Sequence, residues 1–287
     1  MKKPLITLYT PGNRPEFIEK AAKYDPDAII IDLEDAVPVQ LKEKTRYEVA
    51  DILPHFNMAC LVRINNEIGL MEDDIHAMVS EHVYGIVLPM AESVESIKKV
   101  DKMITTLENK LNLKKNIIKL LLLIETSKGV LRCYDLISAA DRVESVIFGS
   151  AEDADLQRDL RCSWSIEGTE LLYARSKTLL EARAAELDYV LDGAFSDIKN
   201  DDALMKDCLL SRRLGYDGRT LIHPRQIDIA RKAYLPEKDE IEYYVKLIEE
   251  FEVALAQGLA AIQYEGKLID YAMYKKAKKL IELYADE

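Results

Sequence analysis

The chain has 287 residues, 48% of them apolar, and carries 39 Lys plus Arg against 51 Asp plus Glu, a net charge of −12. That apolar content excludes low-complexity disorder, and the length suffices for a large buried core in one or two domains. The acid surplus excludes a surface built to neutralise nucleic-acid phosphates or anionic lipid, but leaves room for a local basic pocket facing a phosphorylated ligand.

Short apolar runs alternate with longer amphipathic stretches. Strands are predicted at 5–9, 28–31, 60–64, 85–88, 117–124, 145–148, 189–191 and 220–222. Most are near-continuous hydrophobics, as expected of parallel strands covered on both faces. Helical patterns lie between or after them at 15–24, 40–53, 72–81, 93–107, 130–139, 167–185 and 201–214. Eight strands alternating with helices predict an α/β fold of the closed (β/α)8 TIM barrel type. An open doubly wound sheet is disfavoured because Pro11-Gly12-Asn13 after the first strand is a turn, not GxGxxG. After Pro236 the composition shifts to an acid-rich helix at 237–255, a break at Gly258, a short run at 260–264, a turn at Gly266 and a Lys-rich helix at 268–284. The expected division is a barrel over 1–236 and a C-terminal helical extension over 237–287. The extension would pack on a neighbouring subunit or cover the barrel mouth.

The first apolar run ends at Pro11-Gly12, too early for a signal-peptide core, and the densest stretch, 117–124, carries Lys119 and is strand-sized. A cytoplasmic chain without membrane spans is expected. Cys60, Cys133, Cys162 and Cys208 lack paired zinc spacing and read as buried reduced thiols.

A barrel places its chemistry just after the C-terminal strand ends. Six predicted strands run into polar residues there: Asp32-Leu33-Glu34-Asp35, Arg63-Ile64-Asn65-Asn66, Glu125-Thr126, Glu152-Asp153, Ser196-Asp197 and His223-Pro224-Arg225-Gln226. Crowded carboxylates repel one another unless a cation sits among them, and oxygen ligands suit Mg²⁺, or Mn²⁺, better than zinc. Glu125 and Asp153 are the first choice of metal ligands. The competing structural reading is that Arg63 and Lys128 merely pair with these acids. Arg63 offers a planar donor fork for a carboxylate or a developing oxyanion, or a pairing with Glu34 or Asp35. Asp32, Glu34 and Asp35 would orient Arg63 and metal-bound waters. His223, followed by proline, reads as a turn residue rather than a base, GxSxG is absent, and Trp164 reads as packing.

The segments PGNRPEFIEKA (11–21), IDLEDAV (31–37), VRINN (62–66), IETSKGV (124–130), FGSAEDAD (148–155), EGTELLYARS (167–176), HPRQI (223–227) and GKLIDYAMYKKAKKL (266–280) resemble the citrate lyase β-subunit family. That family includes malyl-CoA and citramalyl-CoA lyases and belongs with the HpcH/HpaI aldolases. The resemblance implies a TIM barrel, a homotrimer, and Mg²⁺-dependent making or breaking of a carbon–carbon bond beside a thioester. It implies that Glu125 and Asp153 bind the metal, that Arg63 binds the keto-acid part of the substrate, and that Glu34 and Asp35 line the pocket. Asp270 matches an aspartate that reaches a neighbouring subunit's site, and Arg14 is similar to residues near the CoA or acyl-carrier phosphates. Two departures bear on specificity: Met90 stands where the family often has lysine, and the 157–165 loop does not follow the usual pattern.

The resulting expectation is a lyase acting on a β-hydroxyacyl-CoA thioester, such as malyl-CoA or citramalyl-CoA, and releasing a small 2-keto acid. The alternative is a citrate lyase β-subunit that cleaves citryl-acyl-carrier protein to oxaloacetate. A non-catalytic metal- or ligand-binding barrel is the alternative of another class. A Schiff-base aldolase would want a lysine at a strand end, and these six strand ends supply none.

Overall fold

The computed structural model describes residues 3–236 and 238–284. Residue 237, where the sequence divides the chain, and the termini 1–2 and 285–287 lie outside the described residues. Two compact units form, one spanning Lys3–Tyr234 and a second beginning at Leu235.

The first unit is a closed barrel of eight parallel strands in sequence order. These are β1 (Ile6–Pro11), β2 (Ala28–Asp32), β3 (Ala59–Arg63), β4 (Gly85–Leu88), β5 (Lys119–Ile124), β6 (Val143–Phe148), β7 (Leu191–Asp192) and β8 (Gly218–Leu221). β8 pairs with β1, Leu221 opposite Leu8, and closes the ring. All eight predicted strands are present, with ends shifted by up to two residues. Burial explains the unbroken apolar runs: every residue of β2 and β4 is buried.

The surrounding helices are α1 (Pro15–Ala21), α2 (Lys42–Ile52), α3 (Leu70–Met78), α4 (Val94–Lys110), α5 (Ser127–Leu131), α6 (Cys133–Ile137), α7 (Asp155–Leu160), α8 (Leu172–Ala184), α9 (Asp201–Leu214) and α10 (Gln226–Tyr234). Local chemistry sets several ends. The Ser93 hydroxyl accepts the Ser96 N–H at the start of α4, and Asn200 accepts that of Ala203 at the start of α9. The helix predicted at 130–139 is two short helices, and α8 starts five residues later than predicted because Gly168 turns the chain at φ +64°. Helix α7 forms where the sequence pattern indicated a loop.

On the β7–β8 side, Arg175, Asp192, Asp207 and Arg219 form a buried charge network. Arg175 Nη2 lies 3.0 Å from both Asp192 and Asp207, and Arg219 Nη2 lies 2.8 Å from Asp207. Burial alone would raise the Asp207 carboxyl, but the Arg219 and Arg175 charges outweigh it and hold the group below its ordinary value.

The second unit is α11 (Lys238–Ala256), an antiparallel hairpin of β9 (Ala261–Tyr264) and β10 (Lys267–Asp270), and α12 (Tyr271–Tyr284). Residues 268–270, predicted as helix, are strand. The hairpin turn places Glu265 at φ 45° and Gly266 at φ 77°, the two positive angles of a type I′ connection. Leu247, Phe251, Ile269, Tyr274 and Ala277 form the small core of this unit, with the Phe251 and Tyr274 rings stacked at 4.8 Å. Among the described residues, no helix is long and apolar enough to cross a membrane.

Candidate active site

Strand register builds the centre of the site. Asp32 ends β2 directly opposite Arg63, which ends β3. Arg63 grips it with two donors, Nε to Oδ1 at 2.8 Å and Nη2 to Oδ2 at 2.6 Å. Its Nη1 lies 3.0 Å from Glu34 Oε2 and 3.3 Å from Asp35 Oδ2. The Glu34 and Asp35 pairings expected from sequence are present. The bidentate partner, however, is Asp32, because a planar fork matches one carboxylate edge-on. Arg63 also lies over the Tyr9 ring, 5.2 Å from its centroid. Tyr9 was not a sequence candidate. Burial holds its phenol above the ordinary value, and the charges of Arg63, Asp32, Glu125 and Glu34 all act on it.

Glu125 follows β5 and is 7% exposed. Its Oε1 accepts the Met90 N–H at 2.8 Å. Met90 takes a left-handed conformation, φ 49°, which is strained for a side chain of that size and brings its N–H to Glu125. Gly149 leaves the room: a Cβ there would lie 2.7 Å from that of Glu125. Burial pushes the Glu125 carboxyl up to about 7, against the Met90 hydrogen bond and the Arg63 charge. Burial likewise pushes Glu34 up to about 8, with Arg63 opposing.

The turn after β6 offers two aspartates. Asp153 is exposed, at φ 59°, and its N–H donates to Gln157 Oε1. Asp155, two residues on and half-buried, opens α7, and its charge is one of those that raise Glu125. Among the described residues, no group of three or more His, Cys, Asp or Glu is arranged to hold a metal. Mg²⁺ usually takes only one or two protein carboxylates, so a paired site does not need such a group. A buried glutamate pushed up by desolvation and by neighbouring acids is a donor that a hard cation relieves. These residues therefore fit Mg²⁺.

The other candidates take simpler roles. Arg14 is exposed, paired with Glu16 at 2.6 Å and stacked 4.4 Å over Phe17. Lys128 pairs with Glu92 at 3.2 Å. His223 Nδ1 accepts the Arg225 N–H at 3.1 Å, as a turn residue does. Trp164 packs edge-on against Phe195. Cys60, Cys133 and Cys208 are buried free thiols, and Cys162 is half-buried. Asp270 is exposed at the end of β10, where its Oδ1 accepts the Met273 N–H at 2.9 Å and caps α12.

Known proteins are similar to this chain in sequence and in fold. The chain is 31% identical over 288 residues to the citrate lyase subunit beta of Haemophilus influenzae, covering 98% of this chain and 97% of that protein. It is 27% identical over 292 residues to the mitochondrial citramalyl-CoA lyase of Mus musculus, covering 96% and 84%. The solved citrate lyase beta subunit of M. tuberculosis, complexed with oxaloacetate and magnesium, superposes with a TM-score of 0.65 at 26% identity, covering 82% and 98%. Residues 5–224 match the HpcH/HpaI aldolase/citrate lyase family, and with the barrel and the strand-end acids on one fold the chain belongs to that family.

Proposed function

We propose that the chain is a Mg²⁺-dependent carbon–carbon lyase. It would cleave, or form, a β-hydroxyacyl-CoA thioester such as malyl-CoA or citramalyl-CoA, with an acyl-CoA and a 2-keto acid as the other partners. The observation that carries this reading is the buried Glu125 carboxylate, held by the Met90 N–H in a mouth shared with the Arg63 fork. The lyase names of the relatives and the magnesium and oxaloacetate of the M. tuberculosis complex support it. Glu125 and an aspartate of the β6 turn would hold the ion; Asp153 follows from the motif, while half-burial and a charge that acts on Glu125 support Asp155, which would have to leave its pairing with Arg158. When bound, Mg²⁺ supplies Lewis-acid stabilisation of charge at the keto-acid end.

The chain's own residues do the rest. Arg63 Nη1, whose acceptors Glu34 and Asp35 include an exposed carboxylate, would turn from that carboxylate to substrate. It would stabilise the oxygen that becomes the ketone carbonyl. In cleavage the β-hydroxyl would give up its proton to solvent in the mouth, the Cα–Cβ pair would pass to the thioester enolate, and the keto acid would depart. Asp270 of a neighbouring copy would return a proton to that enolate carbon, and would remove it in condensation. Glu34 and Asp35 line the pocket, and Arg14 would meet the CoA phosphates.

The 31% identity to a citrate lyase subunit beta favours a second reading, cleavage of citryl-acyl-carrier protein. Mass spectrometry of products from CoA and acyl-carrier thioesters, with and without Mg²⁺, separates the two. Product from CoA thioesters supports the first reading, and strict dependence on the carrier supports the second. Glu125→Gln should lose about 100-fold or more in rate. Asp155→Asn should fall with it while Asp153→Asn stays within about threefold, since a rim charge is worth little. Full Mg²⁺-dependent turnover in Glu125→Gln would sink the proposal.

A further inference from the structure

We propose that Lys42 is a positioning residue of the mouth, tying the turn after β2, which carries Glu34, to Asn65, which follows Arg63 after β3. The activity arm of this inference rests on the lyase reading above.

Lys42 is the first residue of α2 and is 8% exposed. Its Nζ donates to the Glu34 carbonyl at 3.1 Å and to Asn65 Oδ1. Both acceptors are neutral, and Lys42 makes no ion pair among the described residues. Burying an ammonium without a counter-ion is costly, so an apolar residue would serve better if filling space were its only task. Its two bonds instead join the two loops beyond the last backbone bond between them, Leu33 N–H to the Arg63 carbonyl at 2.9 Å.

The tie is anchored on both sides. Asn65 is 1% exposed, and its Nδ2 donates to the Leu33 carbonyl at 2.9 Å and to Asp74 Oδ2 at 2.7 Å. Asp74 Oδ1 in turn accepts from Arg46 Nε at 2.6 Å, one helical turn beyond Lys42 on α2. The circuit therefore runs from α2 through both loops and α3 back to α2. On its inner side, Asp32 accepts the Glu34 N–H at 2.9 Å and the Ala36 N–H at 3.1 Å while it holds the Arg63 fork. A shift of the turn thus moves Asp32 and Arg63 together. Lys42 also lines a cavity of about 480 Å³ with Glu34, Asn66 and Met90, the residue whose N–H holds Glu125.

The test uses Lys42→Met in the full chain, with Lys42→Gln, which keeps a shorter donor, should the first variant fail to fold. Hydrogen exchange by mass spectrometry should speed up about tenfold at 33–37 and 64–67, with helices elsewhere unchanged. Cleavage of citramalyl-CoA should lose about 100-fold in kcat at unchanged KM, the scale expected when reacting groups are misplaced by about 1 Å. Unchanged exchange in both loops overturns the proposal. So does faster exchange with wild-type kcat, which would leave Lys42 a fold residue only. A raised KM at constant kcat also overturns it, by making Lys42 a substrate contact. If the wild-type chain cleaves no thioester, the lyase reading fails and the exchange result alone decides the role of Lys42.

Discussion

Asp270 caps α12, and the proton-transfer role proposed for it can be separated from that cap by one pair of substitutions. Its Oδ1 accepts the Met273 N–H at 2.9 Å, so the carboxylate is the N-cap of α12. Asparagine caps as well as aspartate, whereas alanine gives up about 1 kcal/mol. A loss of that size speeds exchange of the first-turn amides of α12 by about fivefold. Proton transfer makes a different demand. An amide cannot accept the proton, so Asp270→Asn and Asp270→Ala should both lose about 10²–10⁴-fold in rate. The cleanest assay is Mg²⁺-dependent deuterium uptake at Cα of an acyl-CoA in the presence of a keto acid, run beside amide exchange on the same preparations. Asp270→Asn should keep α12 protected and lose Cα exchange; Asp270→Ala should lose both. Wild-type Cα exchange in Asp270→Asn would refute the proton role. Wild-type protection in Asp270→Ala would refute the cap.

The Arg63 pairing makes a second prediction. The Asp35 side chain is 72% exposed and lies 3.3 Å from Nη1, so the keto-acid oxygen proposed to take that donor would compete with it. An exposed pair is worth about 0–1 kcal/mol, so Asp35→Asn should lower KM for the keto acid in condensation by up to about fivefold; a raised KM would contradict this. A third prediction concerns acid stability. Asp207 is held below its ordinary value by Arg219 and Arg175, so its contribution is complete above the unfolded aspartate value of about 4 and is lost as pH falls through the lower folded value. Asp207→Asn leaves two buried guanidiniums short of a partner and should cost about 3–5 kcal/mol at pH 7 in urea unfolding. The gap to wild type should narrow below about pH 4, and a gap independent of pH would contradict the assignment.

What the sequence makes legible and what it hides follow from the range of the interactions involved. Arg63 and Glu125 are legible because the first lies near the end of a predicted strand and the second directly follows one, and a closed barrel sends strand ends to one rim whatever the loops do. The partner of Arg63 is harder to read. Asp32, Glu34 and Asp35 lie within four residues, and only the register that sets Asp32 opposite Arg63 singles out the first. Tyr9 is hidden for the same reason: in the chain it is one more apolar residue of β1, and its place under a guanidinium exists only once β1, β2 and β3 lie side by side. Asp153 and Asp155 differ by two positions, a difference decided by where α7 begins, and no helix is expected there from the pattern.

The hairpin before Asp270 shows the opposite failure, a local signal present but disguised. Its turn is Glu265-Gly266 rather than Asn-Gly, and glutamate rarely takes a positive φ, so the strongest hairpin cue is missing. The following residues, Leu268-Ile269-Asp270-Tyr271, mix apolar side chains with one acid and suit a helix start as well as a strand. Burial distinguishes the two: Ile269 is buried while Leu268 and Asp270 are exposed, the period-two alternation of a strand with one face on a core. That alternation also bears on function. It turns Asp270 away from the core of its own unit at the last strand residue, where the helix that follows fixes the carboxylate through Met273. An acid held at a strand–helix junction has lost much of its rotamer freedom, which a proton-transfer group needs if it is to meet a carbon on another molecule.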